Sequence, residues 1–314
     1  MAECKLHELN ERMRTDPVQT IANAEAFYYA EIERVAQQVA AAPQIRVVLL
    51  AGPSGSGKTT SANILCDRLK VLGRPCAVVS LDDFYRNRDE DYPLCADGSY
   101  DYENVTALQT DLLVACLSDI IAQRDCFLPH YEFETATRTD HATPLAAQEG
   151  GLVIVEGLHA LNPLISERLP AENIYKLFVS VSTNIQNEDG TRLLSGRKIR
   201  FLRRAVRDSL YRGAALVHTL EMWPKVLAGE DLYLYPFKET AQDKIDTFHT
   251  FEVGLLLPFM EQLLAKQPQL ESDNAFLALV MHAARQFEPV LAETVPQTSL
   301  LREFIPGGIY EHLY

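Results

Sequence analysis

The apolar and polar positions divide the chain into a helical opening, a long run of short apolar stretches separated by amphipathic ones, and a mixed tail. In the first 43 residues Ile21, Tyr28, Ile32, Val35 and Val39 recur at helical spacing. Asp16-Pro17 supplies a cap and a first-turn proline ahead of them, and Pro43 closes the segment. From Ile45 the pattern changes. Apolar runs at 45–51, 76–81 ("CAVVSL"), 151–156 ("GLVIVE") and 175–181 ("YKLFVSV") predict strands, with a fainter one at 232–235 or 244–248. Between them, 58–72, 105–124, 192–211 and 214–227 carry the helical period, the first stopped by Gly73 and Pro75. Strands this apolar, alternating with helices, predict an α/β parallel sheet covered on both faces. Residues 127–143 alternate around a polar centre, the pattern of an inserted β-hairpin. The tail carries one amphipathic helix (Phe276, Val280, Ala283, Phe287) and then "PQTSLLREFIPGG". The expected organisation is a helical segment over 1–43, a main domain over 44–268 and a helical extension over 269–314.

Composition narrows the function classes. The chain has 314 residues, 47% of them hydrophobic, as in an ordinary globular protein. No apolar run approaches the ~20 residues of a membrane span, and the opening "MAECKLHELNERMR" is too charged for a secretory signal. Six scattered cysteines without a C-x-x-C pair read as free thiols, so a cytoplasmic location without a membrane partner is expected. A net charge of −14 argues against nucleic-acid binding. Yet eight of the 29 lysines and arginines fall between Arg192 and Arg212. A basic strip in an acidic chain points to one compact anionic ligand.

The strongest chemical signal follows the first strand. "AGPSGSGKTT" (51–60) satisfies G-x-x-x-x-G-K-[ST] through Gly52, Gly57, Lys58 and Thr59, with Pro53, Ser54, Gly55 and Ser56 forming the loop and Thr60 following it. Glycines let backbone N–H groups turn inward around a phosphate, Lys58 reaches the β- and γ-oxygens, and the Thr59 hydroxyl is offered to Mg²⁺. The helix that starts here adds its positive end. The predicted fold is therefore a P-loop NTPase-type parallel sheet flanked by helices, with an inserted β-hairpin and a helical, arginine-rich lid; the expected ligands are ATP and Mg²⁺. The N-K-x-D segment of guanine switches is missing, as are the signatures of ABC and AAA+ assemblies, which leaves small-molecule kinases and unusual NTPases. Ligands of open α/β sheets sit at the carboxyl ends of strands, so "VVSLDDFY" delivers Asp82 and Asp83 to the γ-phosphate. A carboxylate there can orient and deprotonate an attacking hydroxyl; a turn or cap role is the plainer alternative. Glu156, which ends "GLVIVE", is placed to hold Mg²⁺ directly or through its ligands. His159, just beyond it, reads as structural.

Taken in order, "GPSGSGKT", "SLDDFY", "DYENVTAL", "YEFETATR", "VIVEGLHAL" and "RRAVRDSLYRG" resemble the uridine kinase branch of the phosphoribulokinase/uridine kinase family over about residues 45–250. The closing "SLLREFIPGG" is similar to the ending of a bacterial subgroup of nucleoside kinases in that family. The resemblance implies that Asp82, not Asp83, is the base for a 5′-hydroxyl, and that Tyr85 helps form a nucleoside pocket. It implies that Glu103 grips the ribose hydroxyls and that Glu156 and Thr59 serve the metal. Tyr131 and Arg138 match substrate positions of the hairpin. Arg204, Arg207 and Arg212 match phosphate-facing positions of a lid over about 190–214, with Lys58, Arg204 and Arg207 catalytic and Arg204 also near substrate. One position departs from the pattern: Ala136 stands where a histidine reads the pyrimidine edge, and alanine can neither donate nor accept. "STNIQNEDG" is also longer than in the core family, and Ala214 replaces a common basic residue. The implied activity is transfer of the ATP γ-phosphate to the 5′-hydroxyl of a ribonucleoside, uridine or cytidine first. A kinase of another sugar or sugar-like molecule, phosphoribulokinase-like, stays open, as does a nucleotide-binding regulatory protein that transfers nothing. Oligomeric state is open too, a homo-oligomer included.

Overall fold

The computed structural model describes residues 3–95, 98–133 and 135–313. Glu134, inside the hairpin segment, lies outside the described residues. A short strand, β1 (Glu3–Lys5), precedes helices α1 (Leu6–Thr15) and α2 (Pro17–Ala40). Asp16 caps α2 by accepting from the Gln19 N–H at 3.0 Å, and Pro17 occupies the first turn, where its missing N–H costs nothing. The chain then enters the sheet through β2 (Val47–Ala51) and leaves it through α3 (Lys58–Val71) and β3 (Cys76–Ser80). Helix α4 (Thr110–Ile121) and the hairpin β4 (Cys126–Glu132) and β5 (Thr137–Leu145) lead to β6 (Leu152–Glu156), the short α5 (Pro163–Ser166) and β7 (Ile174–Ser180). Strands β8 (Asn184–Gln186) and β9 (Arg192–Leu194) precede α6 (Gly196–Tyr211), α7 (Leu216–Tyr233) and β10 (Asp243–Asp246). Helices α8 (Glu252–Lys266), α9 (Leu270–Asp273) and α10 (Ala275–Ala284) follow.

The main sheet is parallel, in the order β10-β7-β2-β6-β3. All five residues of β2 and of β6 are buried, because helices cover both faces. The period of two sorts them. Val48 and Leu50 join a core with α2, α3, α6, α8, α10 and the tail. Val47, Leu49 and Ala51 face a second core with α4 and α5. Tyr28 of α2 bonds the Ser61 hydroxyl of α3 at 2.8 Å, and Leu300, Phe304 and Ile305 of the tail share that first core. The register sets Glu156 opposite Leu50 on one side and Ser80 on the other. The ends of β2, β6 and β3 thus deliver the phosphate loop, Glu156 and Asp82 to one level.

Four sequence expectations shift. Residues 192–194 are a strand rather than the start of a helix, since the 187–191 turn folds them back onto β8, which also pairs with β1. The predicted helix 105–124 begins at Thr110; Asn104 instead caps a tight turn over 105–107 by accepting from the Thr106 N–H. The helix predicted to end at 227 runs to Tyr233 with Pro224 inside it, so 232–235 is no strand and β10 takes the sheet edge. Pro258 likewise lies inside a helix, α8.

Candidate active site

The phosphate loop is held from behind. A Cβ on Gly52 would collide with the Val179 carbonyl of β7, and Gly55 and Gly57 have φ of 72° and 84°, the left-handed region open to glycine. The loop carbonyls point outward and find donors there: Ser54 O accepts from Arg200 (2.7 Å), Gly55 O from Arg203 (3.3 Å) and Ser56 O from the Thr247 hydroxyl (2.8 Å). Satisfying the carbonyls from outside leaves N–H groups of the loop and of the first turn of α3 to face an anion.

The arginine strip of α6 divides into two sets. Arg200 and Arg203 are fully buried and serve the loop's scaffold. Arg200 makes a two-pronged ion pair with buried Glu230 of α7 (2.7 and 2.8 Å), and that carboxylate also accepts from the Ser54 N–H at 2.9 Å. Arg203 pairs with buried Glu252 at 2.5 Å and stacks on Phe304. The second set gathers about Asp208: Arg204 at 3.1 Å, Arg207 at 2.9 Å and Arg212 at 3.7 Å. Burial works to raise the Asp208 carboxyl, but the three guanidiniums outweigh it and hold the group below its usual range. Arg204 also donates to the Ser54 hydroxyl at 2.8 Å, which ties this set to the loop.

Lys58 donates to the Pro53 carbonyl at 3.2 Å. Glu156, 6% exposed, accepts from the Thr59 hydroxyl (3.3 Å) and the Ser80 hydroxyl (3.2 Å). Burial pushes its carboxyl up to about 7 against the pull of Lys58, with Asp82 and Glu303 adding to the rise. Asp82 opens to solvent at the mouth of the cleft, yet protein crowds it enough that desolvation raises its carboxyl, opposed by Lys58, Arg212 and Arg207. Asp83 turns the other way, to His130 Nδ1 (3.1 Å) and the Tyr131 N–H (3.2 Å), and so pins the hairpin.

Glu103 packs against Gly229 of α7, where an added Cβ would lie 2.5 Å from the Glu103 Cβ. Desolvation raises its carboxyl to about 7, countered by Arg204 and reinforced by Glu230. Tyr85, Tyr131 and Phe133 form a ring cluster with centroids 5.2–6.2 Å apart, and the Tyr85 hydroxyl donates to the Tyr102 carbonyl. Arg138 is spent within the protein: its guanidinium donates to Tyr85 O, Glu90 and Asp140, so it orients the loop that carries Tyr85. Ala136 sits in the hairpin turn, buried, with φ of 51°. His159 is buried against the Tyr233 ring, and burial lowers it to about 4. The structure therefore brings together Lys58, Thr59, Asp82, Glu103, Glu156, Arg204, Arg207 and Arg212, with Tyr85 and Tyr131 alongside. Of the carboxylates behind the loop, Glu230 and Glu252 carry no motif around them, and the only sequence signal for them is the need of each buried arginine for an acid; Glu303 lies in the quoted "SLLREFIPGG", but nothing in that stretch assigns it a role at the loop.

The sequence model of the Phosphoribulokinase / Uridine kinase family matches residues 47–253, from the first residue of β2 into α8. A uridine kinase of Schizosaccharomyces pombe is 29% identical over 184 residues, which cover 58% of this chain but 36% of that protein, so the match spans about a third of that relative's length. A uridine kinase of Limosilactobacillus reuteri is 28% identical over 170 residues, 54% of this chain and 68% of that one. Among solved structures, a D-glycerate 3-kinase from Cryptococcus neoformans aligns with 70% of this chain and 88% of its own at 14% identity, with a TM-score of 0.39.

Proposed function

The chain belongs to the phosphoribulokinase/uridine kinase family, and on that premise we propose that it moves the γ-phosphoryl of Mg·ATP to the 5′-hydroxyl of a ribonucleoside, uridine or cytidine first. The observation that carries the reading is the orientation of the two adjacent aspartates. Asp83 is occupied by the hairpin, whereas Asp82 stands in the cleft within the field of Lys58, Arg207 and Arg212. An aspartate so placed accepts the proton of a hydroxyl that approaches the phosphate. Lys58 and the arginines around Asp208 neutralise charge on the phosphoryl oxygens, Glu103 accepts from vicinal ribose hydroxyls, and Tyr85, Tyr131 and Phe133 offer faces on which a base stacks.

The donor set around Thr59 fits Mg²⁺: a hydroxyl and a carboxylate, both hard oxygens, 3.3 Å apart, the latter in an environment that disfavours its charge until a cation stabilises it. Among the described residues no three His, Cys, Asp or Glu side chains gather as a metal cage, which suits an ion whose other ligands come from phosphate and water. When bound, the ion shields the phosphates and orients them. The free state of all six cysteines supports a cytoplasmic home, and among the described residues no helix is long and apolar enough to cross a membrane. Ala136 supports a second acceptor class, a sugar or sugar-like alcohol that needs no base contact.

Coupled ADP release with Mg·ATP across ribonucleosides, deoxynucleosides and sugar phosphates tests the reading, with Asp82→Asn alongside. Expected is turnover with uridine or cytidine that falls about 10²–10⁴-fold in the variant. Turnover confined to a sugar acceptor would replace the nucleoside. ATP binding without turnover on any acceptor would overturn the kinase assignment.

A further inference from the structure

The closing "SLLREFIPGG" is built into the phosphate site, although its Glu303 lies 243 positions along the chain from Thr60. Ser299 accepts from the Leu301 N–H at 3.1 Å and opens a tight turn over Leu300–Glu303. Leu300, Leu301, Phe304 and Ile305 are fully buried. Arg302 donates to the carbonyls of Ala292, Val295, Pro296 and Pro306 and so staples the segment to itself. Leu300 lies on the phosphate loop: a Cβ on Gly57 would sit 2.7 Å from its methyl carbon.

Glu303, 4% exposed, is a two-sided carboxylate. Its Oε2 accepts from the Thr60 N–H (3.3 Å) and the Thr60 hydroxyl (2.9 Å). That N–H is one of those the first turn of α3 cannot satisfy internally. Its Oε1 lies 3.8 Å from Arg207 Nη1. The opposite edge of the same guanidinium, Nε and Nη2, binds Asp208 at 3.1 and 2.9 Å. Arg207 needs both clamps. Its neighbours Arg204 and Arg212 repel it, and they share the one carboxylate of Asp208.

We propose that Glu303 is a positioning residue of the phosphoryl-transfer site, capping α3 through Thr60 and fixing the Arg207 guanidinium toward the nucleotide's phosphates. This rests on the kinase reading of Arg207 given above. A removable plug that imitates a phosphate is the rival role, and the anchoring opposes it: withdrawing Glu303 would strip four fully buried side chains from the core. A simple electrostatic brake is the other rival, and it predicts the opposite sign, because deleting a negative charge beside an anion site tightens anion binding.

The test is calorimetric titration of the full chain with Mg·ATP, which needs no acceptor, for the wild type, Glu303→Gln, Glu303→Asp, Arg207→Ala and the double variant Arg207→Ala/Glu303→Gln. Glu303→Gln keeps an oxygen for Thr60 and removes the charge that faces Arg207; thermal melting checks its fold. Expected is about tenfold weaker binding in Glu303→Gln, as for other residues that orient a ligand's direct contact. Partial recovery is expected in Glu303→Asp, and no further loss when the change is made in Arg207→Ala. Equal or tighter binding in Glu303→Gln would overturn the proposal, as would a full second loss in the double variant, or a loss accounted for by unfolded protein alone. A wild type that binds Mg·ATP but turns over no acceptor would remove the kinase reading while this titration still decided whether Glu303 acts through Arg207.

Discussion

Glu230→Leu attacks the support of the phosphate loop without touching a group that faces the cleft. Wild-type Glu230 is fully buried, pairs with both terminal nitrogens of Arg200 and accepts from the Ser54 N–H. The variant leaves a buried guanidinium with the Ser54 carbonyl, the Tyr235 hydroxyl and the Trp223 face for company. Removing one partner of a buried pair costs about 3–5 kcal/mol. With an unfolding entropy of ~2.1 cal/mol/K per residue, a chain of 314 residues should lose roughly 5–8 °C in Tm. The double variant Arg200→Met/Glu230→Leu removes the stranded charge and should recover most of that loss. It remains below the wild type because the Ser54 N–H has lost its acceptor, worth about 1–3 kcal/mol when buried. Both variants should bind Mg·ATP more weakly than the wild type, since each loses bonds that hold Ser54 in place. Differential scanning calorimetry with and without Mg·ATP reads all three quantities. A single variant that melts within about 2 °C of the wild type, or a double variant no more stable than the single, would refute the reasoning that this pair braces the loop.

Two further outcomes are expected. Gly229→Ala places a methyl group against the Cβ and Cγ of Glu103 while improving helix propensity by up to ~1 kcal/mol. It should therefore raise the KM for the acceptor at least severalfold and leave Tm and Mg·ATP affinity near wild type; an unchanged acceptor KM would remove Glu103 from the acceptor site. The ligand-free protein should also lose stability as pH rises. Glu156 has a folded pKa near 7, above its ordinary 4.5, so its contribution is fully present below about 4.5 and is lost as pH climbs through 7. The difference amounts to roughly 3 kcal/mol, and melting curves from pH 5 to 8 should show a slope that Glu156→Gln reduces by about half, because Glu103 is raised to a similar value and titrates in the same sense. A wild-type slope retained in that variant would show that other groups carry it.

The parts of the site that are contiguous in sequence were legible there, because each is one turn following one strand. The loop 51–60, Asp82 after β3 and Glu156 at the end of β6 could be placed from an apolar run and the residues that end it. What was not legible depends on partners far along the chain. Arg200, Arg203, Arg204 and Arg207 form one stripe at helical spacing and look alike in one dimension. The family resemblance singled out Arg204 and Arg207, but what Arg200 and Arg203 do instead is seen only from the acids that meet the four, Glu230, Glu252, Asp208 and Glu303. The Arg138 position could be matched to a substrate motif, but not its saturation by Tyr85 O, Glu90 and Asp140. Strand β9 escaped notice for a different reason: three residues are too few to show a period of two, and their partner β8 is equally short.

The distribution of charge explains why so acidic a chain can hold a polyphosphate. Arg200 and Arg203 are neutralised in the interior by one carboxylate each and contribute shape rather than field. The cleft itself contains Lys58, Arg204, Arg207 and Arg212 against Asp82, Glu103, Glu156, Asp208 and Glu303. Taken as fully ionised, that set would repel an anion. It is not fully ionised near neutral pH, because burial lifts both Glu103 and Glu156 to about 7, which leaves each about half charged and lowers the total by about one charge. The remaining carboxylates act through geometry, since Asp208 and Glu303 hold guanidiniums and Asp82 faces the opening. A cation that arrived with the nucleotide at Thr59 would favour the ionised form of Glu156, so metal and phosphate loading would be linked to release of a proton there. The acids of the cleft thus cost less attraction for phosphate in the ligand-free state than their number suggests, and the one at the end of β6 would become fully charged where a divalent ion met it.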